Sequence, residues 1–299
     1  MAKLVECVPN FSEGRRPEVI EAIVAEVRKN KEVKLLDVKP DASHNRVVVT
    51  FVGEPQAVKQ AAFAACAKAA ELIDMEKHQG EHPRVGATDV VPFIPVSEVT
   101  LEECVELANE LGREIADKLN IPVYLYEAAA KTPARKNLPD VRKGQYEGLK
   151  QEISQPERRP DYGPAKMHPT AGATVVGARQ FLIAYNINLN TSDVTIAKNI
   201  ANTIREAKGG YRYVRAMGVM LEERNIAQVS INMLDYTGTP LHRVFETVKS
   251  EAARYGVNVI GSEIVGLTPL QALLDAAEFY LRFEGFDRKQ VLETNLSDD

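Results

Sequence analysis

Cysteine is scarce and unpatterned in this chain. Cys7, Cys66 and Cys104 are its three thiols, and no two of them form a CxxC pair. A sparse, odd count argues against a disulfide-stapled scaffold or a cysteine zinc site and fits a protein kept reduced. Also missing is any apolar run near the roughly 18 residues that a membrane helix requires. Residues 1–30 show no charged stretch followed by an apolar one, so no secretory signal is expected. Positive charge is not in excess: the formal net charge is -5, which argues against a protein that holds nucleic acid by charge alone. The five histidines show no HExxH motif, so no catalytic metal is expected. These absences point to a soluble, cytoplasmic protein.

What remains is ordinary for a globular fold. Hydrophobic residues make up 44% and charged residues 26% of the 299, enough chain for one large domain or two modest ones. Leu4–Val8 reads as a strand ended by Pro9. Val19, Ile20, Ile23, Val24 and Val27 fall on one helical face after Pro17, a residue suited to a first helical turn. Strand candidates follow at Val33–Val38 and Val47–Val52, then an alanine-rich helix over Pro55–Ile73. A helix around Leu101–Leu119 and a strand around Pro122–Tyr126 come next. The order then recurs: strand Phe181–Ile187, helix Ser192–Glu206, strands Val214–Leu221 and Ala227–Leu234, helix Leu241–Tyr255. Val257–Ile260 and the helix Pro269–Leu281 complete it. Two βαββα runs predict an α/β (α+β) fold of two ferredoxin-like subdomains, residues 1–178 and 179–299. Between them Lys131–Pro169 is rich in proline and charge. That composition predicts loops, with a short helix near Gly144–Ile153.

Chemistry concentrates at Glu81-His82-Pro83-Arg84-Val85-Gly86-Ala87-Thr88-Asp89. Pro83 biases His82 toward extended backbone, which puts a group titrating near neutrality on a connection, where a general acid or base can work. A spacing echo links this stretch to a later one. His82-Pro83-x-x-Gly86-Ala87-Thr88-x-Val90 recurs as His168-Pro169-x-x-Gly172-Ala173-Thr174-x-Val176, offset by 86 residues. Flanking elements do not repeat at this offset, so the echo reads as one loop geometry used twice, the two loops facing each other across a cleft. The Asn10–Gly14 loop between strand and helix is a candidate anion site, since free N–H groups and the helix dipole favour negative charge there. His44 and Asn45 open the strand at Val47. His78 and His242 have no partner motif and read as surface or core histidines.

Taken together, several long motifs resemble the glutamate formimidoyltransferase family, folate-dependent transferases of histidine breakdown. They are Leu4–Arg15, Leu35–Val38, His44–Arg46, Thr50–Gly53, Gly80–Asp89, Gly172–Arg179, Ala184–Leu189 and Val265–Pro269, spread over residues 3–285. The resemblance implies two α/β subdomains with the substrate site in a cleft between them, lined by residues 80–89 and 163–179, and a homodimer. It implies tetrahydrofolate and N-formimidoyl-L-glutamate as substrates, no metal, and His82 of Gly80-Glu81-His82-Pro83-Arg84 as catalyst. The folate region carries over to Gly163, Pro164, Ala165, Lys166, Met167, His168, Pro169, Thr170, Ala171 and Gly172. Both substrates bear glutamate carboxylates, so Arg84, Lys166 and Arg179 are candidate grips, because guanidinium binds carboxylate bidentately. Asn10 and His44 are weaker substrate candidates, with Arg15, Arg16 and Arg46. Some family members carry a fused cyclodeaminase domain; here a separate cyclodeaminase partner remains open. Two rival readings stand beside this one: a related transferase that processes 5-formyltetrahydrofolate, and a non-catalytic folate or amino-acid sensor.

Overall fold

Some helix starts in this chain carry their own side-chain caps. In the computed structural model, which describes residues 2–80 and 83–296, the Glu54 carboxylate accepts from Gln56 and Ala57 N–H. Thr100 and Glu103 form a reciprocal capping box. The chain divides into two units, Met1–Arg179 and Gln180–Asp299, each with its own hydrophobic core.

The first unit runs β1 (Leu4–Cys7), β2 (Asn10–Phe11), α1 (Pro17–Arg28), β3 (Val33–Asp41), β4 (Arg46–Gly53), α2 (Pro55–Leu72) and β5 (Thr88–Ser97). Next come α3 (Leu101–Leu119), β6 (Val123–Glu127), α4 (Leu138–Val141), α5 (Gln145–Glu152) and β7 (Thr174–Ala178). The strand expected to end at Pro9 resumes beyond it, because Asn10 and Phe11 pair with β4 on one side and β5 on the other. Asn10 therefore sits in a strand rather than in an open loop. β1 likewise lies between β4 and β5, and β3 flanks β4, all antiparallel. This is the expected ferredoxin-like βαββα unit closed by β5.

Beyond β5 the sheet continues in a different sense. β7 inserts between β5 and β6 and is parallel to both. Val91 and Phe93 of β5 and Val5 and Cys7 of β1 are fully buried on strands that α2 and α3 pack against. The alanines of α2 (Ala57, Ala61, Ala62, Ala65 and Ala69) are buried where it packs against α1 and α3, and their small size permits that close approach.

The second unit runs β8 (Ile183–Leu189), α6 (Val194–Ile204), β9 (Val214–Leu221), β10 (Ile226–Met233), α7 (Leu241–Arg254), β11 (Val259–Val265) and α8 (Leu270–Leu281). Its four strands are ordered β11-β8-β10-β9, all antiparallel. β8 starts two residues later than expected. The last strand is Val259–Val265 rather than Val257–Ile260, because Gly261–Val265 keep pairing with β8. Among the described residues no helix is long and apolar enough to cross a membrane.

Candidate active site

The two echoing loops meet inside the first unit. β5 and β7 are parallel, so their entry loops arrive at the same sheet edge, where Gly86 and Gly172 form a bridge. Ala87 N–H donates to Ala171 O at 2.8 Å, and Ala173 N–H donates to Val85 O at 3.0 Å. A Cβ on Gly86 would collide with the carbonyl oxygens of Ala171 and Ala173. One on Gly172, whose φ is +73°, would lie 2.6 Å from Val85 O. The facing of the two loops across a cleft is thus corrected. They are backbone neighbours in one unit, and their glycines serve each other's approach.

Further contacts fix this corner. Ser12 Oγ donates to Gly86 O at 2.8 Å and Ser12 N–H to Ala87 O at 2.9 Å. Asp89, 2% exposed, accepts from Val85 N–H at 3.0 Å and pairs with Arg142. Burial raises the Asp89 carboxyl above its ordinary range, and the Arg142 guanidinium opposes that shift. Through this buried pair the segment after α4 is tied to the start of β5.

Glu81 and the expected catalyst, His82, lie outside the described residues. Their neighbours are placed. Arg84 is buried and gives both guanidinium prongs to Glu147, at 2.9 and 2.6 Å, and another contact to Gln145 Oε1 at 3.0 Å. A group expected to hold a substrate carboxylate is thus engaged by one of the chain's own. A polar cavity of about 680 Å³ adjoins it, lined by Met75, Glu76, His78, Gly80, Tyr146 and Lys150 among others. His78, expected as an unremarkable surface or core residue, is half-buried in this wall and contacts both Asn45 O and Arg84.

The folate span folds tightly. His168 and Gly172 exchange backbone hydrogen bonds at 3.1 and 3.2 Å, and His168 Nδ1 accepts from Ala171 N–H at 3.0 Å. Met167 and Ala171 are buried, while Gly163, Ala165, Lys166 and Pro169 are exposed, with Pro164 and Thr170 between. Thr170 O accepts from Met75 N–H at 2.8 Å, which joins this turn to the cavity wall.

The remaining candidates scatter. Arg179 follows the last residue of β7, seven positions beyond Gly172, so at about 3.3 Å per residue it stands roughly 20 Å from the paired loops. Arg84 and Arg179 are therefore at opposite ends of the β5–β7 strip. His44 is exposed on the β3–β4 hairpin, with Nδ1 2.6 Å from Asp41 Oδ2. Asn10 Oδ1 is 3.4 Å from an Arg46 nitrogen.

The anion site expected before α1 is filled from within: the buried Glu13 carboxylate accepts from Arg15 and Arg16 N–H at 2.9 and 3.0 Å and from Arg16 Nε at 2.6 Å. Burial would raise this carboxyl, but those donors more than offset it and hold it low. In the second unit His242 stacks on Phe279 with centroids 4.3 Å apart, beside an apolar pocket of about 420 Å³. Among the described residues no cluster of histidine, cysteine and carboxylate side chains has the makings of a metal site.

Sequence reasoning passed over His78, Asp89, Arg142 and Glu147 as members of the site. Asp89 lay within the quoted motif. Arg142 and Glu147 sit in the proline-rich stretch, where charge read as solvated surface.

Comparison with known proteins decides the family. Residues 4–179 match the formiminotransferase domain, N-terminal subdomain, and residues 184–294 match the formiminotransferase domain. The chain belongs to the formiminotransferase family. It is 54% identical over 297 residues to the glutamate formimidoyltransferase of Streptococcus pyogenes serotype M1, covering 99% of each chain. Against the glutamate formimidoyltransferase of Thermoplasma acidophilum the identity is 48%, covering 98% of this chain and 97% of the other. The formimidoyltransferase-cyclodeaminase of Mus musculus is 51% identical over 94% of this chain, which spans 53% of that longer protein. Within this formiminotransferase chain the matched segments meet near Arg179, where the two units also part.

Proposed function

We propose that this protein is a glutamate formimidoyltransferase that moves the formimidoyl group between N-formimidoyl-L-glutamate and N5 of tetrahydrofolate. The observation that carries the reading is the near full-length match to an enzyme of that name, with Gly80-Glu81-His82-Pro83-Arg84 intact. Folate N5 attacks the amidine carbon and a tetrahedral intermediate forms. The bond from that carbon to the glutamate nitrogen then breaks. Over the whole step one proton leaves N5 and one reaches the departing amine. A single imidazole at His82 that takes the first and returns it to the second balances the reaction.

Gly163–Gly172 bind the folate, a reading supported by the pairing of their loop with Gly86 at the entry to β5. Arg179, at the far end of the strands, is assigned to the folate's glutamate carboxylate and not to the reacting carbon. Arg84 acts through Glu147. Residues 1–178 form the subdomain of the catalytic histidine and 179–299 the second subdomain. The protein acts in the cytoplasm, within histidine breakdown, as a homodimer without metal.

The test is direct. Tetrahydrofolate and N-formimidoyl-L-glutamate are incubated with the enzyme, and acid converts the product to 5,10-methenyltetrahydrofolate, read by absorbance. Absorbance above an enzyme-free control supports the reading. Turnover of N-formylglutamate instead points to a formyl-processing transferase, and tight binding of folate without turnover to a sensor.

A further inference from the structure

Two anchors hold the Gly80–Arg84 motif, one at each end. Upstream, Asn45 Nδ2 donates to Gln79 O at 2.9 Å, and Gly80 passes so close to His44 O that a Cβ there would collide. Downstream, Arg84 is 7% exposed and locked to α5 through Glu147 and Gln145. One side chain touches both anchors. His78 Nε2 is 2.9 Å from Asn45 O, and its Nδ1 is 3.3 Å from Arg84 Nε.

The hydrogen-bond chemistry fixes this ring. A carbonyl oxygen only accepts, so Nε2 must carry the proton. Arginine Nε–H only donates, so Nδ1 must be bare. His78 is therefore a neutral Nε2–H imidazole with both nitrogens committed within the chain, and burial favours that neutral form. A ring so committed is poorly placed to carry protons to a substrate. What it sets is the separation of the β3–β4 hairpin from the Arg84–Glu147 pair, and hence of the two ends of the motif.

We propose that His78 is a positioning residue of the transfer reaction, bridging Asn45 and Arg84 so that the Gly80–Arg84 motif is held at fixed ends. The inference rests on the transferase reading above. Misplacing a catalytic group by about 1 Å costs on the order of 10²-fold in rate, so the loss should fall on kcat rather than on substrate binding.

Three variants dissect the bridge. His78→Gln keeps a donor near Nε2 and loses the acceptor for Arg84. His78→Asn keeps the acceptor and no longer reaches Asn45 O. His78→Ala loses both. The expected result is a kcat lowered on the order of 10–10²-fold in His78→Ala, KM for both substrates within about threefold, and partial recovery in one or both amide variants. His242→Ala in the second unit serves as the control and should leave kcat unchanged.

A second arm needs no catalysis. Amide hydrogen exchange over residues 78–85 should accelerate by about tenfold in His78→Ala and in Arg84→Ala relative to the strands of the same unit. Unchanged kcat in a folded His78→Ala protein overturns the proposal. So does a change confined to KM, or a loss that follows the thermal midpoint with no recovery in either amide variant. If the wild type transfers no formimidoyl group, the functional reading falls. The exchange arm then judges the bridge alone, and unaltered exchange overturns it.

Discussion

Glu6 is 5% exposed in the central strand pair of the first unit, and among the described residues no hydrogen bond reaches its carboxylate. Burial pushes its pKa from 4.5 up to about 7, with Arg179 pulling the other way. The folded state therefore holds a proton that the unfolded chain has shed between these values. Stability from this group is full below pH 4.5 and is lost as pH rises through 7, a difference worth at most about 3 kcal/mol. Glu6→Gln should accordingly raise the thermal midpoint at pH 8 and give a smaller gain at pH 5. An equal shift at both values would show that the carboxylate is not charged at the cost supposed.

His78, His168 and His242 act in the opposite sense. Burial lowers all three below 6.5, so their contribution is present above that value and is lost as pH falls below it. For His82 the expectation is chemical: His82→Ala should lower kcat on the order of 10²–10⁴-fold while folate binding persists. Retention of more than about a tenth of the rate in a folded variant would remove the imidazole from the mechanism. The motif that holds His82 was legible in the sequence, whereas the contacts of His78 were not. A residue whose role is to touch two partners shows nothing of itself until the fold brings the partners near.

At the scale of elements, local pattern carried far. The apolar stripe of α1, the bounds of α3 and the short helix α5 all fall within a residue or two of expectation, because helical period is written in adjacent residues. The placing of β7 between β5 and β6 was not legible. Parallel pairing joins residues about 85 positions apart (Val90 with Val175) and leaves no local signature.

The alanine face of α2 shows what such packing demands. Ala65 is fully buried in a helix flanked by α1 and α3, so Ala65→Leu would force extra methylenes into filled space. A destabilisation of about 1–3 kcal/mol is expected in denaturant titrations. A neutral result would reveal slack between those helices. Gly86→Ala is expected to be worse tolerated than Gly80→Ala in a folding assay, since its Cβ meets the backbone of a paired loop on more than one side.

For the whole molecule, two cores imply two folding units. Ile183, Ile187, Ile200, Val229, Ile231, Val244 and Val248 are buried together, and every member of that core lies beyond residue 180. Residues 180–299 expressed alone should give a cooperative thermal melt with both helix and strand signals in circular dichroism. A spectrum of unordered chain would mean that this core cannot stand by itself. The two-unit plan could be read from the repeated βαββα order. Of the strands added to the first unit, β6 could be read as well, whereas β7 could not, since the long segment between them masks their kinship.

The late arrival of β7 bears on how the protein is made. β5 and β6 do not pair with each other, so in a growing chain that has emerged only as far as β6 the edges flanking the slot for β7 are bare. Until residues 174–178 are delivered, those edges are open to any passing strand, including that of another nascent chain. Filling the slot also brings Gly172 against Gly86, so the two loops become neighbours in the same event that seals the sheet. Premature termination just short of β7 would thus yield a sticky fragment lacking that loop pairing, where loss of the second unit alone would leave the first sheet closed.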